Sequence, residues 1–329
     1  MPSVGGAQSS AHHGRFLPQF RKFASLVPDQ LRPHNGPMPL HGHGGKKGAG
    51  SGGIYGSQFY AAFIGGWQHR NQGNNGPTCT LGASYPNSVA VDGKGNLIDP
   101  DGGTRDVIVY QGPGMCGSEI GSISDGYGQP SDAASMDAAN GTIVVGNIFG
   151  TSGAGGISLC SISAGCTAYL TNPAMYEVAG VAQANNGDCW ASAIDSSGFP
   201  TLTYFQGCSG GGQVATGFDN VFYGGLDIDK AGNLVSIDLI GSGTGSVWVY
   251  SGCNPSCSLV GGPFPLEGES VFGHLSKQSM TLATGDFEFG QVDVYNYSPT
   301  SLSYSYSFNN GFSPSDDVEG AAFNPRSTQ

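Results

Sequence analysis

Side chains that could bind a cation recur at regular intervals through most of this 329-residue chain. They stand directly before short apolar runs, at Asn87, Asp132, Glu177, Tyr223, His274 and Glu319. Carboxylate and amide oxygens are the ligands that Ca²⁺ prefers, so Glu319, Asn87, Asp132 and Glu177 are the candidate metal ligands. A bound Ca²⁺ could polarise a lactone or ester carbonyl, with Glu177 or His274 as the catalytic base. This chemistry requires a fold that brings the distant positions together.

A repeat of strand-like segments predicts such a fold. Six apolar runs end at intervals of 45, 46, 46, 48 and 47 residues, at Asp92, Asp137, Gln183, Asp229, Lys277 and Asn324. Most are followed by three further runs in which apolar and polar residues alternate, which is the period of a β-strand. Four short strands in about 45 residues is the length of one propeller blade. We therefore predict an all-β, six-bladed β-propeller over residues 54–329.

The two ends of the predicted propeller complement each other. The sixth inner strand, VEGAAFN at 318–324, has no blade after it, and the first blade, from residue 54 onward, has no inner strand of its own. We expect the last strand to complete the first blade and to close the ring, which leaves no strand edge free. The third strand of the first blade has the weakest pattern, because GGWQHRNQGNNG lacks alternation.

Two blades carry a family resemblance. Residues 89–110, with Asp92, Gly95, Asn96 and Asp101, resemble an NHL-repeat blade, and residues 225–250 match with Asp238 in the place of Asp101. The resemblance implies a scaffold that different proteins use for binding or for catalysis. It also implies that the aspartates after the second strands, Asp101, Asp238 and Asp286, cap the following loops.

A second resemblance is to the six-bladed SMP-30/gluconolactonase-like group. VEGAAFN is similar to that group's Glu-Gly before an inner strand and YPNSVAVD to its Pro-Asn-Gly, which point to Glu319 and Asn87. The resemblance implies a metal-dependent lactonase with its ligands at the mouth of the central channel. Tyr223 stands where that group tends to place an aspartate.

Aromatic residues accompany the same loops. Tyr85, Tyr176, Tyr223 and Phe272 are candidate ligand-binding residues, and Tyr127 lies in an equivalent loop. Exposed rings could stack on a sugar or a peptide. They could equally fill the gaps between blades.

The eight cysteines indicate a disulfide-bonded protein of an oxidising compartment. Blade geometry predicts pairs within hairpins, Cys160 with Cys166 and Cys253 with Cys257, and a pair between adjacent strands, Cys189 with Cys208. Cys79 and Cys116 remain as the fourth pair. Residues 1–20 contain no apolar signal-peptide stretch. We nevertheless expect a secreted, periplasmic or cell-surface protein.

Charge divides the chain into a basic extension, residues 1–53, and an acidic remainder. The extension has a net charge of +5 and the remainder of −17. A body this acidic disfavours nucleic-acid binding, and no apolar run is long enough to span a membrane. Within the extension, residues 15–31 (RFLPQFRKFASLVPDQL) combine cations with large apolar side chains. This segment could pack on its own acidic propeller or on that of another copy of the chain.

These observations favour a non-catalytic module that binds a protein or glycan, or copies of itself. The alternative is a Ca²⁺-dependent lactonase or esterase-like hydrolase that uses the carboxylates at the channel mouth. Beyond a possible Ca²⁺, the sequence indicates no cofactor.

Overall fold

The computed structural model describes residues 53–59, 61–68, 74–151, 153–220, 222, 224–240, 244–276, 280–313 and 317–324. The predictions for the basic extension therefore lie outside the described residues, apart from Gly53. The described chain folds into 24 strands: β1 (Gly53–Gln58), β2 (Phe63–Gln68), β3 (Cys79–Gly82), β4 (Ala90–Val91), β5 (Leu97–Asp101), β6 (Asp106–Tyr110), β7 (Glu119–Ser124), β8 (Gly128–Ser135), β9 (Ile143–Gly150), β10 (Gly156–Ser161), β11 (Gly165–Leu170), β12 (Glu177–Gln183), β13 (Cys189–Ile194), β14 (Pro200–Phe205), β15 (Gln213–Val214), β16 (Leu226–Ile228), β17 (Leu234–Ile240), β18 (Thr244–Ser251), β19 (Ser258–Pro265), β20 (Gly273–Leu275), β21 (Thr281–Asp286), β22 (Gln291–Ser298), β23 (Ser301–Phe308) and β24 (Val318–Phe323).

The strands form six four-stranded sheets arranged as the blades of a propeller. Blade 1 contains β24, β1, β2 and β3 in that order, and blades 2 to 6 contain β4–β7, β8–β11, β12–β15, β16–β19 and β20–β23. The prediction of a six-bladed β-propeller is confirmed. Within the described residues no helix is long and apolar enough to span a membrane.

The hydrophobic core is divided among the six interfaces between neighbouring blades. Because side chains alternate along a strand, Leu97 of β5 packs toward blade 1 while Ile98 packs toward blade 3. Each interface has its own cluster of buried residues, such as Ala133, Val145 and Ile98 between blades 2 and 3. A fully buried aliphatic or aromatic side chain contributes about 1.5–3 kcal/mol. Every blade therefore depends on both neighbours for its stability.

The C-terminal strand closes the ring. β24 pairs antiparallel with β1, in a register that places Phe323 opposite Ile54 and Gly320 opposite Ser57. Val318, Ala321 and Phe323 enter the cluster with blade 6, while Ala322 enters the cluster with blade 2. The third strand of blade 1, which had the weakest sequence pattern, is β2, and its Trp67 is buried between Phe308 and Phe312 of blade 6.

The turn after β4 explains the Asp-x-x-Gly-Asn pattern, which recurs at residues 229–233. Asp92 accepts hydrogen bonds from the amides of Lys94 and Asn96 and from the Asn96 side chain. Gly95 follows with φ of 91°, a backbone conformation that glycine tolerates without strain. Asp92 also accepts the amide of Ala138 in blade 3 at 2.6 Å. The repeated aspartate therefore closes its own turn and joins its blade to the next.

All eight cysteines are paired, in the combinations Cys79–Cys116, Cys160–Cys166, Cys189–Cys208 and Cys253–Cys257. Three of the four bonds each join two cysteines of the same blade, in blades 3, 4 and 5. Cys79 belongs to β3 of blade 1, whereas Cys116 follows β6 of blade 2, so their bond crosses a blade interface.

Removal of residues 318–329 is expected to abolish cooperative unfolding and to cause self-association. The truncation removes β24, exposes the edge of β1 and takes apolar side chains from two clusters. Size-exclusion chromatography with light scattering and urea-induced unfolding measure both effects. Removal of residues 325–329 alone is the matched control, because it leaves every β24 pairing in place. A monomer with unchanged unfolding after the longer truncation would contradict the closure argument.

Candidate functional site

The candidate residues lie on one face of the propeller, here called the mouth. It is formed by the loops that enter the inner strands and by the loops that join the second and third strands of each blade. These two sets meet because the first and second strands of a blade are antiparallel, as in the pairing of Glu177 with Ile194. Every candidate residue that the structure describes can therefore be placed relative to the mouth and the axis.

An Asp–His–Asp contact crosses the central channel. His274 of β20 places Nε2 3.9 Å from Oδ1 of Asp132 in β8 and Nδ1 3.6 Å from Oδ2 of Asp227 in β16. Blades 3 and 6 are opposite each other in a six-membered ring, so the contact between Asp132 and His274 spans the channel. We call these three residues the axial bridge. The structure thus brings together two of the predicted residues and adds Asp227.

Backbone and hydroxyl donors fix the carboxylates of the axial bridge. Asp132 accepts hydrogen bonds from Ser88 Oγ in blade 2 at 2.8 Å and from the Val181 amide in blade 4 at 3.0 Å. Asp227 accepts the amide of Leu275 in blade 6 at 2.7 Å. One buried aspartate therefore connects three adjacent blades and contacts the opposite one.

Electrostatics favour a protonated His274 in this position. Burial lowers the pKa of His274, but the carboxylates of Asp227 and Asp132 outweigh it and raise that pKa above its ordinary value of 6.5. Burial raises the pKa of Asp132, and the positive charge of His274 opposes this rise. Below this raised pKa, His274 is therefore an imidazolium held between Asp132 and Asp227.

The other candidate ligands are buried near the starts of their inner strands. Glu177 and Glu319 are each 4% exposed, and Asn87 donates its side-chain amide to the carbonyl of Pro130 at 2.8 Å. Among the described residues, three His, Cys, Asp or Glu ligand atoms lie within 4.8 Å of one another at Asp125, Cys160 and Cys166, where the cysteines form a disulfide. Asp132, Glu177 and Glu319 do not form such a group. The Ca²⁺ site and the catalytic roles of Glu177 and His274 stay predictions.

The aspartates that follow the second strands cap loops. Asp101 accepts the amides of Tyr85, Gly103 and Thr104. Asp238 accepts the indole N–H of Trp248 at 3.1 Å, and Asp286 accepts two amides of its own loop. The capping role predicted for Asp101 and Asp286 is confirmed, whereas that of Asp238 stays a prediction, because residues 241–243 of its following loop lie outside the described residues.

The candidate aromatic residues have different environments. Tyr176 is 43% exposed. Tyr85 is half-buried with its ring 5.0 Å from that of Phe59, and Phe272 is buried at 3% exposure. Tyr223 lies outside the described residues. Tyr127, in the equivalent loop of blade 3, stacks on Tyr169 at 5.4 Å. The structure therefore makes Tyr176 available to a ligand and places Phe272 in the interior.

Sequence reasoning missed Asp227 and the exposed rings of two other loops. Asp227 lies in GLDID, where its neighbour Asp229 caps the following turn. The alternation of side chains could have identified it. Ile228 packs against the cluster between blades 4 and 5, so its neighbours Asp227 and Asp229 both lie on the other side of the strand. Phe199 and Phe289 follow second strands and are 48% and 55% exposed. Their position in polar turns was the available signal.

No family model and no curated protein matches the chain. Solved structures do match. A chain of the nidogen/laminin complex aligns with a TM-score of 0.59 at 12% identity, over 83% of this chain and 98% of that chain. A protein of unknown function from Bacteroides caccae aligns with a TM-score of 0.57 at 10% identity over the same shares. Hydrazine synthase of Kuenenia stuttgartiensis aligns at 0.51 and 12% identity, over 79% and 80%. Identities this low establish the fold alone.

His274→Gln is expected to destabilise the protein by about 3 kcal/mol at pH 6, because it leaves Asp132 buried without its cation. Because the pKa of His274 is higher in the folded protein than in the unfolded chain, its charge stabilises the fold fully below the unfolded pKa of 6.5. This contribution is lost as pH rises through the folded pKa. The loss should therefore be smaller at pH 9. Urea-induced unfolding at both pH values measures it, with Lys94→Gln, an exposed turn residue, as the control. A loss that is as large at pH 9 as at pH 6 would refute a charged bridge.

Proposed function

We propose that this chain is an extracellular binding module that acts without catalysis and binds its partner at the mouth. The observation that supports this proposal is that the polar and the aromatic side chains of this face have different environments. The described polar groups at the axis contact other parts of the propeller, whereas large aromatic side chains on the surrounding loops are exposed to solvent. Such a surface suits recognition of another molecule.

The internal contacts of the axial groups support a non-catalytic role. A general base needs access to a substrate proton within hydrogen-bond reach. His274 is 14% exposed and lies between two carboxylates, and Asp132 already accepts two hydrogen bonds at its 1% exposed side chain. These contacts serve the ring more directly than they serve a substrate.

Three aromatic side chains provide the binding surface. Tyr176 lies in the loop before β12 of blade 4, and Phe199 lies in the loop between β13 and β14 of that blade. Phe289 lies in the corresponding loop of blade 6, between β21 and β22. Rings carry large apolar area at a small cost in conformational entropy, which is why they dominate protein interfaces. We infer that these three contact the partner.

The charge of the mouth favours a cationic partner. Glu267 and Glu288 are exposed near Phe289, and Glu269 and Asp317 lie partly exposed in the same region. Opposite charges at an interface accelerate association and exclude anionic competitors. A protein segment with basic and apolar residues fits both properties of the surface, and a neutral glycan fits the rings alone.

Two further observations bear on the setting. Four disulfides support an oxidising compartment, such as the extracellular space or the periplasm. One similar fold belongs to a chain of a protein–protein complex, that of nidogen and laminin. We also propose that the blades are of the NHL type, which is consistent with a scaffold that binds through its loops.

We infer from the sequence of the chain that its partner could be a second copy of itself. Residues 15–31 are basic and rich in phenylalanine and leucine, which complements an acidic, aromatic surface on another copy. Sedimentation velocity of the full chain across concentrations tests this form. Arg21→Glu combined with Lys22→Glu should reduce any oligomer, whereas a purely monomeric full chain would exclude it.

The combined substitution of Tyr176, Phe199 and Phe289 by alanine is expected to abolish partner binding without lowering stability. The full chain, immobilised in buffer of physiological salt, serves as bait for extracellular proteins of its source, and retained proteins are identified and then titrated individually. The matched control changes Met136 and Met280 to alanine, since both are exposed apolar residues on loops between first and second strands, at the opposite face. Partners that are lost equally from both variants, or from neither, would refute the mouth as the binding surface.

A further inference from the structure

Two buried carboxyl groups contact each other beneath the mouth loop of blade 6. Asp286 ends β21 and Asp293 lies on β22, and neither side chain is exposed. Asp293 lies opposite Thr284 and diagonal to Asp286, and Nε2 of Gln291 reaches both side chains, Asp293 at 2.9 Å and Asp286 at 3.5 Å. A hydrogen bond between the two carboxyl groups requires a proton on one of them, because an ionised carboxylate only accepts.

Two other blades place a donor to a buried carboxylate at the position of Asp293, whereas blade 2 places Ile108 there. Trp248 occupies the corresponding position of blade 5, two residues before a buried tyrosine, and donates its indole N–H to Asp238 at 3.1 Å. Ser158 occupies it in blade 3 and donates its hydroxyl to Asp125 at 2.9 Å. In both blades the residue is a hydrogen-bond donor to a buried carboxylate. An aspartate can take that role only when it carries a proton.

The remaining contacts leave room for one proton. Gln291 donates to Oδ1 of Asp293 at 2.9 Å, and Tyr295 donates to Oδ2 at 3.3 Å. Asp286 accepts the amides of Glu288 and Phe289 through Oδ1. The amides order the loop, and the second oxygen of Asp286, Oδ2, has a long contact from Nε2 of Gln291 at 3.5 Å, which leaves it able to accept the proton of Asp293.

The charges around the pair are negative. Glu288 stands on the same loop, Glu267 and Glu269 precede β20, and Asp317 precedes β24. Tyr295 faces Asp293, and burial raises the pKa of this tyrosine far above its ordinary value. The described Lys and Arg side chains, Lys94, Arg105 and Lys230, belong to blades 2 and 5. A proton is therefore the positive charge that the described surroundings supply.

We propose that Asp286 and Asp293 share one proton at neutral pH and that this proton holds the mouth loop of residues 286–290 in place. The pair is a latch: loss of its proton sets two buried anions against each other and releases the loop that presents Phe289. The significance for binding rests on the proposed function, whereas the latch itself does not.

The direction of the pH dependence follows from the protonated pair. Burial, followed by the charge of Asp286, raises the pKa of Asp293 to about 8. Between its ordinary value of 3.8 and about 8, the folded state holds a proton that the unfolded state has released. Stability from this group is therefore full below the lower value and declines as pH rises through the upper one.

Asp293→Asn provides the test, because its amide can donate to Asp286 at every pH. The infrared C=O band of a protonated carboxylic acid is expected in the wild type at pH 7 and weakened in the variant. From pH 5 to 8 the wild-type unfolding equilibrium constant should rise by up to about tenfold per pH unit more than that of the variant. His274 titrates in both proteins, so the comparison between them isolates Asp293.

Loop order gives a readout that does not require a ligand. Hydrogen exchange of the Glu288 and Phe289 amides, corrected for intrinsic rates, should accelerate between pH 7 and 9 in the wild type and stay constant in Asp293→Asn. Asp195→Asn is the matched control, since Asp195 caps the equivalent loop of blade 4 through the amides of Ser197 and Phe199. It should leave the pH dependence of the blade 6 loop unchanged.

The latch would be overturned by absence of the carboxylic acid band at pH 7, or by equal pH slopes in the wild type and Asp293→Asn. Absence of the band in the wild type overturns the latch even if the variant fails to fold, whereas a band that persists undiminished in folded Asp293→Asn belongs to another buried carboxyl group, such as Asp99, and equally overturns it. A confirmed latch with unchanged partner binding across pH would leave the proton assignment intact and refute the role of this loop in the proposed function.

Discussion

Mutual coverage of the blade faces is the constraint on which this structure depends. Each four-stranded blade is apolar on both faces, so neither face can be left in water without losing several kcal/mol of burial. A ring satisfies all six blades at once, and it does so only when the last strand joins the first blade. The pairing of β24 with β1 therefore stabilises two interfaces directly and the other four through them.

Closure also determines what happens at the axis. Six inner strands converge there, and the side chains of Asp132 and His274 meet across the axis. The sequence places charges in this space, and they are tolerated because they are matched: His274 lies between Asp132 and Asp227, and hydroxyl and amide donors complete the carboxylates. Blade 6 uses a different solution, because Asp286 and Asp293 have a shared proton in place of a cation. In the function that we propose, binding falls to the surrounding loops, where Tyr176, Phe199 and Phe289 are exposed.

The sequence predicted those features that repeat and missed those that depend on one blade meeting another. Blade number, closure by residues 318–324 and the capping role of Asp101 follow from a period that local patterns reveal. Asp227 was missed because its partner His274 is 47 residues away and its neighbour Asp229 offered a simpler explanation. Phe272 was expected at the rim, but its side chain is buried, since alternation at a strand entrance does not say which way a ring turns. Asp293 reads as an ordinary polar residue of an alternating strand until its register opposite Thr284 places it beside Asp286.

The contact between the two ends of the ring has a consequence for how such a chain can be rearranged. The amide of Asn324 donates to the carbonyl of Gly53 at 2.9 Å, so the ends of the propeller are neighbours in one sheet. A circular permutant that joins these ends and opens between the first and second strands of another blade would keep every inter-blade cluster and every strand pairing. The junction between β24 and β1 is then one of six equivalent positions for the chain termini. Propellers of this architecture can therefore differ in the blade that contains their termini and still share one fold.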